Sequence, residues 1–352
     1  MTDILDTGRF AELLSNPVFV PHIPAGKPLG VAVSGGPDSM ALCALLAEWM
    51  EHEGAGRAIS ALHILSVDHG LRPEAVQEVG AVGAWAQSRP GLIHAALACH
   101  PETGGPTKDG NRIMEKARSA RYTVMADYCH AHNIRSLLLA HHRDDQAETL
   151  LFRLAKGSGL DGLAAMRPVQ PFNDDLTLLR PLLDTPKATL IDFCETYAIP
   201  FITDPSNASP DFARPRLRKA RAALEAEGLT SKRLTVTASR LARARDALDK
   251  LAGEAFEATL TDRTEHTITL DWNALKTRPE EIALRTLLIA IDALHPESRT
   301  AYGPPLEKIE HLFDELLNMP RFRKRTLHGT IFERDDKSGS LHLSREHMPK
   351  SG

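Results

Sequence analysis

Six consecutive residues, Ser34-Gly35-Gly36-Pro37-Asp38-Ser39, place two hydroxyls, two glycines and one carboxylate between an apolar run and a helix-forming run. Adjacent glycines permit backbone dihedrals that turn successive N–H groups toward one point, making an anion nest. A helix starting directly behind adds the equivalent of about half a positive charge. Ser34 and Ser39 supply hydroxyl donors, and Ser39 can also cap the helix. The segment lacks the Gly-Lys-Ser/Thr ending of the Walker loop. Without that lysine, cradling a departing pyrophosphate suits it better than transferring a terminal phosphoryl group. A carboxylate beside a phosphate site is repulsive unless a cation intervenes, which marks Asp38 as a candidate Mg²⁺ ligand, direct or through water.

Further chemistry lies downstream. Asp145 and Glu148 are three residues apart in a predicted helix, so both carboxylates face the same way and suit an ammonium group. The competing reading is capping of that helix by Asp144 or Asp145. Arg118 and Arg121, also three apart, share one helix face, which reads as an exposed face beside Glu115. Asp68-His69-Gly70 and His141 each follow a predicted strand; Asp68, His69 and His141 are candidates to contact nucleotide or order the rim. No ligand spacing compels a transition-metal site from His69, His141 and His142 with Asp68 and Asp144.

These groups need a frame. Apolar runs at 29–33, 61–67, 92–98 and 136–140 read as buried strands, alternating with helical patterns at 39–51, 73–87, 112–132 and 144–154. Strands separated by helices imply crossovers and an α/β, doubly wound parallel sheet with helices on both faces. In such sheets ligands bind beyond the carboxyl ends of the strands, and the chemistry-bearing residues fall there. A further helix follows Pro186. From Phe212 onward the composition turns to Ala, Arg, Leu and Glu, predicting helices at 214–227, 231–260, 279–293 and 304–317, with a terminal hairpin pairing 326–333 with 341–344. We expect a catalytic domain over residues 1–215 and a mostly helical region over 216–352.

Bulk composition excludes several classes. The four cysteines, Cys43, Cys99, Cys129 and Cys194, form no close pair, which argues against a disulfide framework or a cysteine-based metal site and fits a reducing compartment. The longest apolar run, 40–47, is far below the ~18 residues a membrane span requires, so a cytoplasmic protein without a membrane partner is expected. Net charge is −4, yet residues 214–245 carry ten Lys or Arg against Glu225 and Glu227. Such a patch suits a polyanion or a solvated helix face. Arg321, Arg323, Lys324 and Arg325 form a second cluster.

Ser34–Ser39 in this setting resembles the PP-loop of the ATP pyrophosphatases. Val67-Asp68-His69-Gly70-Leu71-Arg72, Ala117-Arg118-Ser119-Ala120-Arg121-Tyr122, the run from Ala140 to Thr149, Gly159-Leu160, Gly162-Leu163, Met166 and Arg180-Pro181-Leu182-Leu183 together resemble the tRNA(Ile)-lysidine synthetase family. The resemblance covers about residues 29–220. It implies ATP and Mg²⁺, an isoleucine tRNA with a CAU anticodon, and L-lysine, with a homodimer as one possible assembly. It implies adenylation of the wobble cytidine 2-carbonyl with loss of pyrophosphate, then displacement of AMP by the lysine side-chain amine. By resemblance Asp145 and Glu148 match the lysine-binding acids, Asp38, Arg121 and Asp145 the catalytic set, and Arg118, Arg214, Arg216 and Arg218 the substrate contacts. It implies that Arg118 and Arg121 neutralise phosphate charge as an adenylate forms. The chain departs from the pattern at Pro215, where asparagine is expected; proline removes a backbone donor there. The nearest rival, a PP-loop tRNA thiolase, needs cysteines that are not so arranged here. An amidotransferase-type synthetase would need a glutaminase domain, and a non-catalytic nucleotide binder gains nothing from Asp38, Asp145 and Glu148.

Overall fold

The computed structural model describes residues 5–53, 59–68, 74–99, 113–202, 220, 222–295 and 304–346. They form two compact units: residues 1–157 with 165–238, and residues 158–164 with 239–352. The expected division at 215/216 lies outside the described residues, as does half of the helix expected at 214–227, of which residues 222–226 are helical.

The first unit is built on β1 (Leu29–Ala32), β2 (Leu62–Asp68), β3 (Leu92–Ala98), β4 (Ser136–Leu138), β5 (Val169–Pro171) and β6 (Thr177–Leu179). These form one sheet in the order β3-β2-β1-β4-β6-β5. All neighbours are parallel except the β5–β6 pair at the edge. Its helices are α1 (Thr7–Leu14), α2 (Pro37–Glu53), α3 (Glu74–Gln87), α4 (Ile113–Ala131), α5 (Arg143–Leu154) and α7 (Lys187–Thr196), while α6 (Leu160–Leu163) belongs to the second unit. Strand alternation explains why the apolar runs are continuous. Ile64, Leu138 and Leu179 join the core of α1, α2, α3 and α7, while their neighbours Leu65, Leu137 and Leu178 join the core beneath α4. Successive side chains in a strand point to opposite faces, so a sheet covered on both faces needs apolar residues at every position. In α2 every residue from Met40 to Ala47 is buried, which fixes the helix that follows the glycine loop.

The β5–β6 hairpin is absent from the sequence reading. Its three-residue strands are too short for a period to register, and its turn is closed by Asn173, whose Oδ1 accepts the amides of Asp175 and Leu176.

The chain enters the second unit within α8 (Ser231–Thr259). Strands β7 (Leu260–Arg263), β8 (Thr267–Asp271), β9 (Arg325–Leu327), β10 (Thr330–Asp335) and β11 (Ser340–Arg345) form an antiparallel sheet ordered β7-β8-β11-β10-β9. The expected hairpin is therefore part of a larger sheet. Its first arm, expected at 326–333, is two strands joined by His328 and Gly329, both at positive φ (52° and 73°), the conformation a two-residue hairpin turn needs. Helices α9 (Trp272–Leu275), α10 (Glu280–Leu294) and α11 (Leu306–Asn318) complete this unit. Buried Leu287, Ile291, Ile309 and Phe313 pack with Ile268, Leu270, Phe332 and Leu341 of the sheet.

Residues 158–164 belong here through Arg285 of α10. Its buried guanidinium donates to Asp161 (2.9 Å), Asp249 and Glu281 (2.7 Å). Each of the three acids is itself about half exposed, so unpaired carboxylates can solvate. We expect Arg285→Met to cost about 2 kcal/mol, below the penalty for stranding a fully buried charge. Thermal denaturation followed by hydrogen exchange checks this: the loss of protection should centre on α10 and residues 158–164.

Candidate active site at the strand-order reversal

Strand order runs β3-β2-β1 in one direction and β4-β6 in the other, so the topology reverses between β1 and β4. A crevice opens at the carboxyl ends of strands where the order reverses. The segments leaving those two ends are Ser34–Ser39 and His141–Glu148.

The glycine loop is braced from within. Gly35 lies at φ +86°, a left-handed conformation glycine adopts without strain, and its carbonyl accepts the Ile202 amide at 2.9 Å. Ser39 is 7% exposed. Its Oγ accepts the Ser34 amide (3.2 Å) and donates to the Gly36 carbonyl (3.0 Å). The two serines therefore differ: Ser39 ties the loop, while the Ser34 hydroxyl lies 3.3 Å from it on an exposed residue. Helix α2 begins at Pro37, a residue suited to a first helical position. The amides of Asp38 and Ser39 lie in its first turn and have no intrahelical acceptor, which is the property that binds anions.

Across the reversal, His142 caps α5. Its Nδ1 accepts the Asp145 amide (3.3 Å), and the Asp145 carboxylate accepts the His142 amide (3.1 Å), a reciprocal capping box. The cap is thus neither Asp144 nor Asp145 acting alone. Asp144 instead bridges elements: Oδ2 accepts the Lys187 amide at the start of α7 (3.0 Å), and Oδ1 accepts the Ser231 hydroxyl (3.0 Å). A short side chain two positions beyond the cap reaches a neighbouring helix more readily than its own.

His142 Nε2 lies 3.5 Å from Asp38 Oδ2 and 3.5 Å from Asp145 Oδ2. Lys187 Nζ donates to the same Asp38 oxygen at 3.1 Å. Burial alone would raise the Asp38 pKa, but the His142 hydrogen bond and the charges of His142 and Lys187 outweigh it and hold the carboxyl below its usual range. Burial alone would lower the His142 pKa; Asp38 and Asp145 outweigh it and raise it. Asp38 Oδ1 is buried without a hydrogen-bond partner among the described residues. One such oxygen beside bound phosphates fits a Mg²⁺ held by one carboxylate plus phosphate oxygens.

Lys187 escaped the sequence reading, although a signal existed. A lysine at the first position of a helix opposes the helix dipole, so its placement there invites another explanation. The fold supplies one: the cation missing from the glycine loop arrives from α7. His142 was read only as a member of a metal site the spacing did not compel; it is the bridge between two carboxylates.

The remaining candidates divide. Asp145 and Glu148 sit one turn apart on α5, both half-buried. Asp68 ends β2, where its carbonyl accepts the Cys99 amide (2.8 Å). His141 Nδ1 accepts from Arg180 Nε at 3.3 Å. Arg121 on α4 is half-buried, its guanidinium 5.6 Å from the Tyr122 ring centroid. His69, Arg214, Arg216, Arg218 and the side chain of Arg118 lie outside the described residues.

Comparison with known proteins adds to this geometry. Residues 8–223 match the PP-loop domain family. The chain is 40% identical over 329 residues to the tRNA(Ile)-lysidine synthase of Methylobacterium nodulans, covering 92% of this chain and 91% of that one. It is 41% identical over 296 residues to that of Rhodopseudomonas palustris, covering 83% and 81%. Among solved structures, the U34-tRNA thiolase NcsA of Methanococcus maripaludis, with its [4Fe-4S] cluster, is similar with a TM-score of 0.54, 16% identity, and coverage of 67% of this chain and 77% of that one. At that identity the similarity is one of fold alone.

Proposed function

The chain belongs to the tRNA(Ile)-lysidine synthase family of PP-loop proteins, and we propose that it joins L-lysine to the wobble cytidine of an isoleucine tRNA with a CAU anticodon. It is an ATP-dependent ligase of tRNA modification. In the proposed sequence the cytidine 2-carbonyl oxygen attacks the α-phosphorus of ATP and pyrophosphate leaves. The lysine side-chain amine then attacks C2, and AMP leaves with that oxygen.

One observation carries this reading: His142 Nε2 stands 3.5 Å from a carboxylate of each of the two facing segments. The anion nest and the acid pair thereby share one crevice. The amides of the glycine loop and the Ser34 hydroxyl take the departing phosphates. Lys187 gives the loop a cation that its own sequence lacks. Asp145 and Glu148 seat the lysine ammonium, while His141 and Asp68 order the nucleotide. Asp38 would hold Mg²⁺, which when bound neutralises charge on the phosphates. Arg118 and Arg121 meet charge on the forming adenylate, and Arg214, Arg216 and Arg218 begin a basic track for tRNA. The resemblance extends the proposal to a cytoplasmic homodimer.

The thiolase alternative needs reactive cysteines. Cys43, Cys99, Cys129 and Cys194 are all buried, and burial pushes the Cys129 thiol up to about 12 and that of Cys194 to about 11. A thiol so placed is a poor nucleophile.

Incubation with ATP, labelled lysine and total tRNA, followed by nucleoside analysis, tests the proposal. AMP, pyrophosphate and a labelled cytidine derivative are expected. ADP and phosphate would overturn the reading of the glycine loop.

A further inference from the structure

We propose that Ile202 is a positioning residue for the nucleotide loop: by holding the Gly35 carbonyl, its main-chain amide turns the Gly36 N–H toward the departing pyrophosphate. This rests on the reading of Ser34–Ser39 as the pyrophosphate cradle. The Ile202 amide donates to the Gly35 carbonyl at 2.9 Å. The carbonyl and N–H of one trans peptide lie in a plane and point in opposite directions, and no described peptide is cis. The Gly36 N–H shares its peptide with the Gly35 carbonyl, so it faces away from Ile202. Among the described residues it meets no acceptor.

The next two carbonyls of the loop are also held by protein donors. That of Gly36 accepts the Ser39 hydroxyl and the Met40 amide, both at 3.0 Å. That of Pro37 accepts the Cys194 thiol at 3.4 Å. Carbonyls would repel an arriving anion, and each of these three is turned onto a donor of the protein itself.

Two adjacent glycines are poorly suited to keep such a direction unaided, because glycine gives up the most conformational freedom on ordering. Gly35 stands at φ +86°, a state it shares readily with its mirror image until something outside the loop selects one. Ile202 makes that selection, and its side chain shields the bond. A β-carbon at position 35 would stand 3.5 Å from Ile202 Cδ1 and 3.7 Å from Val82 Cγ2, so apolar groups back the loop there. The brace has one origin. Lys187 and Cys194 lie on α7 and Ile202 just beyond its end, and they meet Asp38, Pro37 and Gly35 in turn. An amide aimed before ligand arrives costs less to order when it binds.

The test replaces the Ile202 amide by an ester in the full chain, through nonsense suppression with the α-hydroxy analogue of isoleucine. One N–H is lost and the side chain is kept. Calorimetric titration with inorganic pyrophosphate should show binding about tenfold weaker than in the parent, the worth of one hydrogen bond. Ile202→Val keeps the amide and should bind pyrophosphate like the parent. A loss of structure alone would not single out Gly36, which supplies the second readout. With glycine labelled ¹³C at the carbonyl and ¹⁵N at the amide, only Gly-Gly pairs give a coupled signal. The sequence holds two, 35–36 and 104–105, and Gly104→Ala silences the second. Pyrophosphate should move the Gly36 amide proton downfield in the parent, and that shift should be lost in the ester chain. An ester chain that binds pyrophosphate within about twofold of the parent overturns the proposal, as does a Gly36 signal that responds equally in both, or an Ile202→Val loss as large as that of the ester. A parent that binds no pyrophosphate overturns the reading of the loop and this inference with it. A parent that binds it but forms no AMP with lysine and tRNA refutes the proposed reaction alone.

Discussion

Asp38→Asn should lower lysine- and tRNA-dependent AMP formation by about a thousandfold, the upper range for removing a preorganised electrostatic group from an active site. Asp38 contributes in two ways. It anchors Lys187 at 3.1 Å and faces His142 at 3.5 Å, and its second oxygen is the buried one, unpartnered among the described residues and suited to Mg²⁺. Asparagine keeps the shape and loses both charge effects. Single-turnover kinetics with saturating ATP isolates the chemical step, and a loss below about tenfold would remove Asp38 from the mechanism. Stability carries a second signature. The folded pKa of Asp38 lies below its ordinary value, because His142 and Lys187 outweigh the opposing effect of burial. Its stabilising contribution is complete above the unfolded pKa and is lost as pH falls through the folded one. The melting temperature of Asp38→Asn should therefore trail the parent at neutral pH and converge with it in acid.

Glu148→Gln should raise the lysine KM about 30-fold and leave ATP affinity within about twofold, since a charge-assisted hydrogen bond contributes about 1.5–3 kcal/mol. Glu148 is the member of the acid pair outside the capping box. Asp145 also accepts the His142 amide in the capping box, so its replacement would loosen the start of α5 and mix two effects. Initial-rate kinetics with lysine varied at fixed tRNA, alongside equilibrium ATP binding, separates the two. An unchanged lysine KM would take Glu148 out of the pocket.

The sheet was legible because strands covered on both faces leave unbroken apolar runs, and α2 because the buried stretch from Met40 to Ala47 follows a glycine loop. The loop itself was legible because an anion nest is local chemistry. What stayed hidden is non-local. Lys187 meets Asp38 across 149 positions, and no spacing rule spans that distance. His142 reads as one histidine among sixteen until the reversal of strand order brings Asp38 to its ring. In the β7–β8 pair, β8 does alternate, with Ile268 and Leu270 buried between polar neighbours, but five residues are a short signal. Its partner β7, Leu-Thr-Asp-Arg, is mostly exposed and has no apolar face to mark it as a strand. Ser39 is legible in sequence both as a hydroxyl donor and as a helix cap; in the fold its hydroxyl bonds within the loop, a division of labour with Ser34 that sequence does not separate.

The pairing of Asp38 with Lys187 has a consequence for inheritance. Lys187 is held at both ends, its amide by Asp144 and its ammonium by Asp38. The first contact uses main chain that any residue but proline supplies, so Asp38 and Lys187 form one heritable unit spread over two distant stretches of chain. Exchanging the charges would not restore it. An acid at position 187 would suit the start of a helix, but a lysine at 38 would put its ammonium where phosphates and their cation must meet. Drift at either of these two positions is therefore expected to be answered at the other, and related chains should vary the pair together or keep both.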